Sequence, residues 1–111
     1  MKREIKFRAW DDGRRKYIYS DRHLSLTTFF INIDRRNIMF NLEQFTGLHD
    51  KNKKEIYEGD ILDCGQDPNA EVFWDQELGQ WSISTYHAIL SLYNNLLNAK
   101  VKEINMKIQN Y

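Results

Sequence analysis

The chain has 111 residues, with 16 basic and 16 acidic side chains, one cysteine, one proline, five glycines and fifteen aromatics counted as six Phe, six Tyr and three Trp. That length suits one domain with its own core, and so few prolines and glycines argue against a disordered linker. The single Cys64 excludes an internal disulfide and fits a reducing compartment. No apolar run approaches the roughly 18–20 residues a membrane-spanning helix needs. Residues 1–4 lead into an alternating pattern rather than a signal sequence, so a cytoplasmic protein with no membrane partner is expected.

In chain order, residues 4–10 alternate with period two, which places Ile5, Phe7 and Ala9 on one face and Lys6, Arg8 and Trp10 on the other. Asp11-Asp12-Gly13-Arg14 is a turn, and residues 16–20 read as the return strand of a hairpin. Residues 24–33, rich in Thr, Phe and Ile, read as a strand or extended excursion. After a turn at residues 34–37, Ile38, Phe40 and Leu42 alternate in another strand. Leu48 and Ile56 flank an Asp50-Lys51-Asn52-Lys53 turn, in which Asn52 is the residue suited to positive φ. Gly59 permits a bend into a strand from Asp60 to Cys64.

Residues 70–75 and 80–85 form a second hairpin around residues 76–79. The period then changes: Ala88, Leu92, Asn95, Leu96 and Ala99 recur at helical spacing, so one late helix is expected over residues 86–99, with Ser84 or Thr85 as its N-cap. The tail, residues 101–108, alternates loosely and reads as a last strand. Many short strands, tight turns and a single helix predict a mainly β domain built as a strongly bent sheet or small barrel.

The charges are not evenly spread. Residues 1–22 hold Lys2, Arg3, Lys6, Arg8, Arg14, Arg15, Lys16 and Arg22 against four acids, while residues 55–77 hold eight acids and neither Lys nor Arg. The two poles are able to steer a charged partner or pair with a second copy in a homo-oligomer. The simpler reading is that adjacent strands neutralise each other within one molecule.

Candidate chemistry is sparse. His23, His49 and His87 are far apart, and no Cys or His pair stands at zinc-ligand spacing. Cys64 beside Leu62 reads as a structural thiol, not as half of a pair with His49. Glu55, Glu58, Asp60 and Asp63 form an acidic edge in which Asp60 is expected to accept backbone N–H bonds at a turn, in preference to a metal or acid–base role. No phosphate loop, dinucleotide fingerprint or serine-nucleophile motif is present. No catalytic residue, cofactor site or metal site is therefore assigned. Lys6, Arg8 and Trp10, with Arg14, Arg15 and Lys16 at the turn, have the composition of a nucleic-acid contact, although the acidic half of the chain would repel phosphate.

Ile5-Lys6-Phe7-Arg8-Ala9-Trp10-Asp11, followed by Phe45-Thr46-Gly47-Leu48 and Lys54-Glu55-Ile56-Tyr57-Glu58-Gly59-Asp60-Ile61, resembles the YopX family of small proteins encoded by phages and prophages. The resemblance covers about the first two-thirds of the chain, and Phe73-Trp74-Asp75 also fits it. The chain departs from the family pattern in having Asn52-Lys53 where an Asn-Gly turn is usual. It also lacks a match to the family's C-terminal Ile-Gly-Asn-Ile-Tyr-Glu-Asn at residues 104–108. The resemblance implies an SH3-like β-barrel core with an added hairpin, and no established activity, cofactor or site residues. Together these readings lead to a single-domain, non-enzymatic protein-binding module that acts on a host or phage protein. Its candidate interaction surface comprises Lys6, Arg8, Trp10, Arg14, Arg15, Glu55, Glu58 and Asp60. Nucleic-acid association through the basic first hairpin is the alternative.

Overall fold

The alternating segment near the start of the chain forms the hairpin expected of it. In the computed structural model, which describes residues 4–23 and 25–102, β1 (Phe7–Asp11) and β2 (Lys16–Tyr19) pair antiparallel, with Arg8 opposite Tyr19 and Trp10 opposite Tyr17. Nine strands and a single α-helix are seen among the described residues, so the fold is mainly β, in two antiparallel sheets. The chain divides into two units, Met1–Phe45 and Thr46–Tyr111.

In the first unit, β1 and β2 are followed by α1 (Leu26–Arg35) and by the opening residues of β3 (Leu42–His49), which pair with β1 from Phe7–Gln44 to Ala9–Leu42. Helix α1 replaces the strand expected over residues 24–33; Leu24 itself lies outside the described residues. The β-branched and aromatic composition of Leu26–Arg35 is ordinary for a strand, but both ends carry helix punctuation. Ser25, extended at φ −158°, accepts the Thr28 N–H at 3.1 Å as an N-cap. Asn37, at φ 58°, turns the chain into the left-handed region; its N–H donates to the Asp34 carbonyl, and Ile38 N–H donates to the Ile33 carbonyl. Ile33 and Ile38 then meet in a small core with Ala9 and Phe29, flanked by Phe7, Ile18, Phe30 and Leu42. Tertiary burial of Phe29 and Ile33, one turn apart, outweighs the strand propensity. The strand expected from Ile38 begins only at Leu42, because Met39–Asn41 is a 3₁₀ turn.

In the second unit, the end of β3 neighbours β4 (Glu55–Tyr57). A five-stranded antiparallel sheet comes next, built from β5 (Ile61–Asp63), β6 (Ala70–Asp75), β7 (Gln80–Ser84), β8 (Ile89–Ser91) and β9 (Lys100–Val101), in the order β8-β7-β6-β5-β9. The register sets Leu62 beside Ala70 and Val101, and Val72 beside Ile83. This face, with Ile56, Leu92 and Ala99, makes the larger core. The beginning of the expected last strand is β9; residues 103–108 lie outside the described residues.

The helix expected over residues 86–99 is not formed. Thr85 does bond like an N-cap, its Oγ1 accepting N–H groups from His87 at 3.2 Å and Ala88 at 3.0 Å. The chain nevertheless reverses: Thr85 N–H donates to the Ala88 carbonyl at 2.9 Å and the next residues pair with β7 as β8. Only Tyr93–Asn98 coils, as a 3₁₀ segment. Asn94, Asn95 and Asn98 are poor helix formers, and Asn95 Nδ2 donates to the Ser91 carbonyl at 2.7 Å.

The two hairpins share one loop design. Asp11 Oδ1 accepts the N–H groups of Gly13 and Arg14, and Asp75 Oδ1 accepts those of Glu77 and Leu78. Four residues beyond each aspartate the backbone enters the left-handed region, at Arg15 (φ 58°) in one and Gly79 (φ 61°) in the other. A side chain in that region costs about 1–2 kcal/mol, partly offset by the greater freedom glycine has when unfolded. Arg15→Gly is therefore expected to stabilise the protein by about 0.5–1 kcal/mol and Gly79→Ala to destabilise it by about 1 kcal/mol. Urea denaturation midpoints of opposite displacement check the pair.

Candidate interaction surface

The first hairpin does not present the open cationic face that its alternation suggested. Arg8 is only 4% exposed. Its register partner on β3 is Glu43, and Arg8 Nε donates to Glu43 Oε1 at 2.8 Å while the guanidinium lies 3.9 Å from the Tyr17 ring centroid. Trp10 packs edge-on against the same ring at 5.0 Å. Lys6 Nζ sits 2.8 Å from Glu4 and 3.8 Å from Asp21. Of the residues predicted to form this surface, Arg14 and Arg15 are exposed, Lys6 and Trp10 are half-buried, and Arg8 is withdrawn. Period-two alternation assigns a residue to a face, but it does not show an acid 35 positions away meeting it there.

Asp11, at the turn of this hairpin, binds a second element. Arg36 Nη1 donates to Asp11 Oδ2 at 3.0 Å, and Arg36 Nε donates to Asn32 Oδ1 at 3.1 Å, tying the end of α1 to the β1–β2 loop. Burial pushes the Asp11 carboxyl upward, but the N–H of Arg14, the Arg36 side chain and the N–H of Gly13 outweigh it and hold the group below the usual carboxylate value.

Three of the eight acids in residues 55–77, Asp60, Asp63 and Asp75, accept backbone N–H groups at turns. Asp60, 4% exposed, accepts the Tyr57 N–H at 2.8 Å, the backbone role expected of it, and so it is also withdrawn from any docking surface. Asp63 accepts the Gly65 N–H at 3.0 Å, and Asp75 closes the β6–β7 loop. Glu55 and Glu58 are half-buried beside β4. A further aspartate was not singled out from the sequence. Asp50, buried, accepts N–H groups from Asn52 at 2.8 Å and Lys54 at 2.9 Å through Oδ1, and from Val101 at 2.9 Å through Oδ2. In this loop Lys53, at φ 65°, takes the positive φ expected of Asn52.

Cys64 is half-buried against the larger core, and burial together with Asp63 and Asp67 pushes its thiol up, away from the thiolate a nucleophile needs. Among the described residues, no three His, Cys, Asp or Glu side chains gather as a metal site would require, and no helix is long and apolar enough to cross a membrane.

A different surface stands out once the side chains are placed. From Leu78 to Ala99 there is no Asp, Glu, Lys or Arg, in a chain where 29% of residues are charged. This segment carries the edge strand β8 and the 3₁₀ segment packed against it. On it Tyr86 (96%), Ile89 (61%), Tyr93 (71%) and Leu97 (91%) are exposed. The signal was present in the sequence as missing charge, and the helical spacing of Ala88, Leu92, Asn95, Leu96 and Ala99 concealed it by assigning the segment to a helix.

Two substitutions test these assignments. Because the native Asp11 carboxyl titrates below its unfolded value, its contribution is complete above about pH 4 and is lost as pH falls through the lower native value. Asp11→Asn should therefore weaken the protein at neutral pH and flatten the acid limb of its stability curve, read by thermal melts between about pH 2 and 7. Asp50→Ala leaves three N–H groups without their acceptor and is expected to cost about 3 kcal/mol, read from denaturant unfolding.

No curated protein matches the chain. The family model described as YopX protein matches residues 6–105, which extends past the first two-thirds that carry the recognisable motifs and takes in the β6–β7 hairpin, β8 and β9. The residues at the strand mouths and turns of both units thus fall within one family pattern, and the chain belongs to the YopX family.

Proposed function

We propose that this chain is a non-enzymatic protein-binding module, an accessory protein of phages and prophages that acts in the bacterial cytoplasm on a host or phage protein. The observation that supports this reading is the surface of residues 78–99, free of Asp, Glu, Lys and Arg, with Tyr86, Ile89, Tyr93 and Leu97 exposed beside β8, which ends the strand order of its sheet among the described residues. Edge strands ordinarily carry charge that discourages pairing, and aromatic side chains supply most of the energy at protein contacts. An edge strand flanked by such residues suits strand addition, in which main-chain bonds give affinity and side chains give selectivity.

Nucleic-acid binding stays as a second reading on one observation: Arg14, Arg15 and Lys16 are all exposed on the β1–β2 loop. The pairing of Arg8 with Glu43 and of Lys6 with Glu4 and Asp21 weighs against a wider phosphate-binding track. Charge reversal at Arg8 would report on folding more than on a ligand, since it leaves Glu43 facing a second acid in a buried pair.

The test is a pull-down from bacterial lysate, with and without nuclease, using the wild type and Tyr93→Ala. A protein retained through nuclease treatment and lost from Tyr93→Ala is the expected result. Disappearance of the bound set on nuclease treatment, with an equal loss from Arg14→Glu, would instead favour nucleic acid, and its retention by a salt-sensitive contact would show the counterion release that phosphate binding brings.

A further inference from the structure

We infer that the partner of the β8 edge includes a second copy of this chain, the two β8 strands pairing antiparallel about a two-fold axis near Ile89. The inference rests on the reading of residues 78–99 as a contact surface and adds to it the identity of one occupant.

Bonding along β8 leaves one side open. Thr85 N–H donates to the Ala88 carbonyl and Leu92 N–H donates to the Trp81 carbonyl, while Ile83 stands opposite Leu90. Ala88, Leu90 and Leu92 therefore direct their main-chain groups toward β7. Ile89 and Ser91, between them, direct theirs away from β7, toward the side on which β8 ends the strand order of its sheet among the described residues. The Ser91 carbonyl is used locally by Asn95, which leaves the N–H and carbonyl of Ile89 and the N–H of Ser91 facing outward. Two copies with Ile89 opposite Ile89 exchange two main-chain hydrogen bonds, which is the pairing an antiparallel strand makes with itself.

Charge selects the occupant. A two-fold axis brings each surface against its own image, so charges close to the axis meet their like, and like charges opposed across strands destabilise pairing. Residues 78–99 make up a segment of this chain in which that cost does not arise, because no Asp, Glu, Lys or Arg occurs there. A segment without charge offers a charged partner nothing to complement, and it is complementary to a copy of itself. Tyr86, Tyr93 and Leu97 flank the strand and supply apolar area that a three-residue edge lacks. The small extent of the edge makes the expected dimer a weak one, with a dissociation constant between about 1 µM and 1 mM.

Sedimentation velocity of the purified chain, from about 10 µM to about 1 mM, tests this directly. The wild type should sediment faster as concentration rises, approaching a dimer. Ile89→Lys places two like charges at the axis and should weaken association at least about tenfold, and Tyr93→Lys should do the same at the flank. Gln76→Lys, exposed on the β6–β7 loop outside residues 78–99, should associate like the wild type. Circular dichroism of each variant establishes that it is folded; should Ile89→Lys fail to fold, Tyr93→Lys decides. A wild type that stays monomeric throughout, or association that survives both Ile89→Lys and Tyr93→Lys, overturns the inference. A monomer that still retains a foreign protein through Tyr93 overturns self-pairing alone, whereas a dimer lost in Ile89→Lys with no foreign protein retained leaves self-pairing standing and overturns the wider reading.

Discussion

The buried carboxylate of Asp50 is the constraint on which the second unit depends. One of its oxygens gathers the N–H groups of Asn52 and Lys54 and shapes the loop between β3 and β4, and the other accepts the N–H of Val101 in β9, the last strand in the sheet order. Backbone around the same loop bonds to the far end of the unit as well, through Lys51 N–H and the Ala99 carbonyl. A carboxylate answers several amide donors at once, which no neutral side chain of similar size does. Asp11, Asp60, Asp63 and Asp75 repeat the device on a smaller scale. Three of the eight acids in the acidic pole seen in the sequence are thus turn closures, their charge answered by oriented N–H groups.

The hairpins were legible because alternation and turn chemistry agree there. Phe7 and Ala9, set on one face by the period, both reach the small core, where Ala9 stands opposite Ile18; in the second hairpin Val72 stands opposite Ile83. Helix α1 was not legible from composition, since Thr, Ile and Phe favour strands; the punctuation at Ser25 and Asn37 was the stronger signal. Residues 86–99 failed in the opposite way. Their apolar spacing fits a helix, yet Thr85 turns the chain back on itself and Asn94, Asn95 and Asn98 interrupt the coil beyond β8. In both places a capping residue, not periodicity, decided the outcome.

The candidate surface was only partly legible. Arg14 and Arg15 are exposed as a loop position implies, but Arg8 and Asp60 are drawn inward by partners the local pattern does not reveal, Glu43 and the Tyr57 N–H. Counting charges along the chain pointed toward the regions rich in them. The segment that exposes most apolar surface in the second unit is the one with none, and a search for patches defined by charge passes over it.

The contact between Asp50 and Val101 spans 51 positions of sequence. Closing so long a loop is entropically slow compared with the neighbouring contacts of a hairpin. During synthesis, the second unit cannot complete the bonding of Asp50 until residue 101 has emerged. For that interval one oxygen of the Asp50 carboxylate lacks its Val101 donor and the five-stranded sheet lacks β9. The second unit therefore completes its packing only after residue 101 has been made, however early its hairpins form.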